Sequence, residues 1–269
     1  MVAFFDLLSD SWERTRPARG LVVVPFVWSL LQVGQIFRAV GSDRVLDVAF
    51  PFPKAVVGLW SFVNPPAPDG FSVAGPLWVL PFALVAEGVL AAGYLGSLEQ
   101  TFRTGRYDFV ANARRYVVDL LVYAVLVALV GFLVVAAALA SGILGLLVGV
   151  PLFLLAGYLF YAAPFLVVTE DRSIGSALRR SYRLAVAGGE HLAFFVKYLV
   201  VGAVVSVPVS LLAYTAGVGG ILLASAVAAP VGFAFSATTL AFLRGDRARG
   251  RRVDTGFDGR TAGGGERPD

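Results

Sequence analysis

The chain has 269 residues, 58% hydrophobic and 15% charged, with 22 basic against 18 acidic side chains. An ordinary water-facing domain is about 45–50% apolar and about 25% charged, so this chain has too little polar surface to cover a globule in water. It has no cysteine and one histidine, His191, which excludes disulfides and thiolate chemistry and leaves little for a His-based metal site.

The first 19 residues carry Asp6, Asp10 and Glu13 and lack the continuous apolar core of a signal peptide. Phe4, Leu7, Leu8 and Trp12 fall on one helical face and the three acids on the other, with Pro17 ending the segment. Membrane spans are predicted at about 20–40, 73–98, 116–140, 142–169, 192–214 and 217–243. Each suffices to cross about 30 Å at about 1.5 Å per residue. Runs such as Leu120 to Leu139 lack the polar–apolar alternation of a barrel wall.

The connection 41–72 stands apart. Its apolar stretch Lys54 to Val63 holds Trp60 and Phe62 between Pro51, Pro53, Pro65 and Pro66. It reads as a short helix at the outer interface, with a re-entrant segment as the alternative. Short connections at Ser141 and at Thr215–Ala216 make spans three and four, and five and six, helical hairpins. Gly145 and Gly149 form a GxxxG pair that favours close packing with a neighbour. Segment 174–185 is a second surface helix. Ile174, Ala177, Leu178 and Ala185 share one face, Arg179, Arg180 and Arg183 point away, and Ser173 is the expected N-cap. Residues 244–269, rich in Gly and Arg, read as a disordered basic cytoplasmic tail.

Charge alternates along the connections. Eighteen of the 22 basic residues fall in 1–19, 99–115, 170–191 and the tail, whereas the opposite side holds only Arg38, Arg44 and Lys54. Lys/Arg-rich loops stay cytoplasmic. The expected fold class is therefore all-α: a polytopic transmembrane bundle of about six spans over 1–243, with interfacial amphipathic helices on the cytoplasmic side. Both termini are expected in the cytoplasm and the protein in the plasma membrane.

Three ionisable residues fall within the spans: Glu87 in the second, Asp119 in the third and Lys197 in the fifth. A charge at the bilayer centre costs on the order of 2.5–3.5 kcal/mol on insertion scales, so such residues face the bundle interior and pair. Asp119 and Lys197 match in depth and oppose in sign. They form an interhelical ion pair, or each snorkels to the inner interface. Glu87 lies too deep to snorkel and has no deep partner in the sequence. It reads either as a proton- or cation-handling carboxylate or as a neutral acid hydrogen-bonded to a neighbouring helix. The basic patch Arg172, Arg179, Arg180 and Arg183 is expected to face anionic lipid headgroups or to receive the acidic face of the first helix.

No phosphate-binding glycine loop, His/carboxylate cluster or Ser–His pair occurs, so no cofactor, metal, catalytic activity or nucleic-acid partner is expected. The stretch Ala163-Pro164-Phe165-Leu166-Val167-Val168-Thr169-Glu170-Asp171-Arg172-Ser173-Ile174, followed by Ala177-Leu178-Arg179-Arg180-Ser181-Tyr182-Arg183-Leu184, resembles a signature of a broad set of prokaryotic integral membrane proteins, many of them archaeal. These include the membrane domain that accompanies some glycerophosphodiester phosphodiesterases. The match covers about 22 residues. It implies fold and membrane location and no chemistry. The expected function is a non-enzymatic module organising protein partners or lipids at the inner face. The alternative is a small-solute or ion transporter using Glu87.

Overall fold

A computed structural model describes residues 4–66 and 77–258, and among these there are helices, short 3-10 turns and irregular segments but no strand. The helices, in chain order, are α1 (Phe4–Arg14), α2 (Val23–Leu31), α3 (Val33–Val40), α4 (Leu80–Thr104), α5 (Phe109–Ser141), α6 (Ile143–Phe160), α7 (Ala163–Glu170), α8 (Ile174–Ala187), α9 (Glu190–Thr215) and α10 (Gly217–Asp258). Five stretches are long and apolar enough to cross a membrane: Leu80–Thr104, Phe109–Ser141, Ile143–Glu170, Glu190–Thr215 and Gly217–Gly245. Arg16–Leu31 and Val33–Val40, bent by 65°, make a sixth, broken span. The protein is a multi-pass membrane protein with an all-α bundle of about six spans.

Helix α10 is the hub, packed against α1, α2, α3, α4, α7 and α9. The expected hairpins form. Gly142, at φ +58°, is the single residue between α5 and α6, and a positive φ suits glycine there. Across this turn Gly145 abuts the Ala137 backbone and a Cβ on Gly149 would sit 3.0 Å from Val134, so the GxxxG face packs on α5. Helix α10 runs to Asp258, past the expected end of the span at 243. Residues 259–269 lie outside the described residues, as do 73–76 of the expected second span.

The first and fourth spans are each interrupted, and each break has an identifiable cause. In an unbroken helix the Ser29 carbonyl would accept from the Val33 N–H. The Trp60 Nε1–H donates to that carbonyl instead, at 2.7 Å, and the chain turns at Gln32 between α2 and α3. In the fourth span Pro164 has no N–H to give the Phe160 carbonyl. The span breaks at Tyr161–Ala162, and the Tyr123 hydroxyl donates to that carbonyl at 3.4 Å.

Helix α1 buries the apolar face expected of it, but against protein. Phe4 meets Phe194 and Phe235, and Trp12 meets Phe233. Its acids do not dock on the arginines of α8. Asp10 pairs with Arg14 and Glu13 with Arg16, one helical turn away, because the rings of α1 draw it to α10.

Candidate functional site

The segment 47–63 is not an interfacial helix. It enters the bundle, makes only a short 3-10 turn at Leu59–Ser61 and leaves again. Pro51, Ala55, Val56, Val57, Leu59, Trp60, Phe62 and Val63 are buried. The chain crosses its own neck where the Asn64 N–H donates to Asp47 Oδ2 at 2.7 Å. Farther in, Pro51 abuts Gly202 near the middle of α9, a Cβ on Gly157 near the middle of the fourth span would sit 3.0 Å from the Phe52 ring, and the Val57 carbonyl sits on Gly232 near the middle of the span Gly217–Gly245. These are closer approaches than any side chain at 202 or 232 would allow. The loop therefore reaches the middle of the membrane-spanning helices, and the re-entrant alternative is the one the fold adopts. Three serines hold it. Ser210 accepts from the Asp47 N–H at 3.1 Å, Ser206 from the Ala49 N–H at 3.0 Å and Ser29 from the Leu59 N–H at 2.8 Å.

Between these anchors the backbone of residues 51–57 makes no hydrogen bond to protein among the described residues. An unpaired peptide group in the bilayer core costs several kcal/mol. Irregular backbone at that depth persists where it packs inside protein or lines space that water can enter.

Lys54 sits at the tip of this unpaired stretch, within electrostatic reach of Glu87 on α4. Tyr123 of α5 is also within electrostatic reach of Glu87. Glu87 thus has an opposite charge within electrostatic reach, with no ion pair closed between the two among the described residues. Lys54 lies deep in the fold yet keeps exposed surface, and Glu87 is half-buried. On the α10 side of the bundle, the hydroxyls of Tyr198 and Ser225 are buried without a hydrogen-bond partner among the described residues, and those of Tyr94 and Ser236 are buried facing each other. His191 is spent on packing, its ring stacked on Tyr161 at 4.9 Å.

The other expected site residues separate. Asp119 and Lys197 form no ion pair. Asp119 Oδ1 accepts from the Ile174 N–H at 2.8 Å and so caps α8 from a different helix, while Lys197 lies on the exposed face of α9. Ser173 makes no side-chain capping bond. The basic patch is partly neutralised within the fold. Arg172 pairs with Glu170, Arg180 lies 3.9 Å from it, and Arg115 pairs with Asp171. Arg179 and Arg183 remain exposed with no carboxylate partner among the described residues. Across the same end of the bundle Glu99 of α4 pairs with Arg244 of α10.

No family model, no curated protein and no solved structure matches this chain.

Proposed function

We propose that this protein is a small-solute or ion transporter whose mid-membrane site is Glu87 with Lys54 on the re-entrant loop. The carrying observation is a pair of opposite charges beside seven residues of unpaired backbone, 51–57, at the middle of the spans. Intramembrane ionisable residues that face a cavity mark substrate and ion pathways. Transporters build such sites from interrupted helices and free backbone groups. The buried hydroxyls of Tyr94, Tyr198 and Ser236 add polar groups along the α4, α9 and α10 interior.

An organising module at the inner face would draw on a free face of α1 and on the lack of any charge near Glu87. Glu87 no longer stands alone, and the face of α1 is occupied by α10. One observation still favours that second reading: the α5–α6 hairpin exposes most of its apolar side chains, among them Phe132, Leu133, Leu144 and Leu147. In either case the reading is non-enzymatic, in the plasma membrane, with both termini on the Arg-rich cytoplasmic side. The 163–184 segment supports a relation to the membrane domains that accompany some glycerophosphodiester phosphodiesterases.

The test uses proteoliposomes loaded with a pH-sensitive dye and pulsed with Na+, K+ or acid. The wild-type protein is expected to carry protons or cations faster than protein-free liposomes, and Glu87→Gln to abolish that flux while remaining folded. Wild-type flux equal to that of protein-free liposomes for all three pulses would contradict the proposal.

A further inference from the structure

A separate feature lies toward the Arg-rich end, on the outer surface of the bundle. A groove of about 360 Å3 runs between the first span and α4. Val24 and Val27 form one wall, Leu90 and Phe109 the other, and Gly20 and Tyr107 meet at its end. A Cβ on Gly20 would sit 3.2 Å from the Tyr107 hydroxyl. Apart from that hydroxyl the lining is apolar. Gly20 lies near the start of its span and Leu90 near the middle of α4, so the slot extends from one membrane interface toward the midplane.

Two cations adjoin the Gly20–Tyr107 end in sequence. Arg19 directly precedes Gly20 and Arg106 directly precedes Tyr107. Both are exposed, and neither has a carboxylate partner among the described residues. The Arg19 guanidinium lies over the Trp12 ring, 5.1 Å from its centroid. That contact fixes its position and leaves its charge uncompensated. Several other arginines of this end, Arg14, Arg16, Arg115, Arg172 and Arg244, each have an acid beside them, whereas Arg179 and Arg183, like Arg19 and Arg106, have none among the described residues but do not adjoin the groove in sequence.

We infer that this groove is a binding site for an anionic phospholipid, with one acyl chain in the slot and the headgroup phosphate between Arg19 and Arg106. An apolar slot alone does not select, because a lipid tail is as apolar as the leucine and valine that line it. Selection comes from the two uncompensated guanidiniums at headgroup level, each strengthening the hold on an anionic lipid about five-fold. This inference rests on the membrane placement and not on the transport reading.

The test is native mass spectrometry of the full chain in mild detergent, titrated with phosphatidylglycerol or phosphatidylcholine. One phosphatidylglycerol is expected to bind at least about ten-fold tighter than phosphatidylcholine. Arg19→Gln with Arg106→Gln is expected to lower phosphatidylglycerol affinity about 30-fold and leave phosphatidylcholine unchanged. Val27→Trp, which fills the slot, is expected to weaken both. The arginines are exposed, so an unchanged melting temperature verifies that the double variant is folded. Equal binding of the two lipids, phosphatidylglycerol binding untouched by the double change, or a second protein retained at the site in place of lipid would overturn the inference.

Discussion

Replacing Gly232 by leucine lowers the stability of the protein by about 3 kcal/mol or more, the upper range of overpacking penalties. The Val57 carbonyl of the re-entrant loop rests directly on this position of α10. A side chain there meets backbone, which cannot swing aside as a flexible side chain does, so the loop must leave its seat. Its departure exposes Val57, Leu59 and Phe62, all fully buried, and releases the Ser29 and Trp60 contacts that set the bend in the first span. Gly131→Ala in α5 is the matched control. Nothing lies within 4 Å of the position a Cβ would take there, and alanine is the better helix former by roughly 1 kcal/mol. Thermal unfolding of the two variants in detergent should move in opposite directions. Equal, small effects would mean that the loop does not sit against α10.

Lys54→Met and Glu87→Gln, made singly and together, form a double-mutant cycle with a coupling energy of about 0.5 kcal/mol or more, above the deviation of independent sites. Either single change strands one polar group or charge at the middle of the spans, where solvation is poor. The double change removes both and recovers part of the loss. Unfolding of the four proteins by denaturant in micelles gives the coupling. Strict additivity would mean that Lys54 and Glu87 do not sense each other.

The sequence carried the frame of this fold plainly. Spans, hairpins and the apolar face of α1 follow from composition and helical period, because one face or run of residues must meet apolar surroundings. What it could not convey was which partner each surface finds. The loop was read as interfacial because Trp60 and Phe62 suit headgroup level as well as a protein interior, and only Gly202 and Gly232, remote in sequence, make room for it inside. Those glycines are the signal that could have been weighed, together with Ser206 and Ser210 placed one helical turn apart on α9 to receive loop amides. Asp119 was matched to Lys197 by depth and sign. Its actual partner is a backbone amide at the start of α8, and an amide leaves no trace in residue identity. Lys54 was counted as a loop charge, so Glu87 seemed alone.

The account turns on whether the loop penetrates to the middle of the bundle. Because the chain has no cysteine, Pro51→Cys with Gly202→Cys introduces the only two thiols. Removing the Pro51 ring makes the room that the new side chain on α9 needs. Oxidation in native membranes, read as a mobility shift reversed by reductant, is expected to join the two positions in most of the protein. No crosslink there, with efficient labelling of the thiol at position 51 by a membrane-impermeant maleimide, would place the loop at the surface and contradict the mid-membrane site.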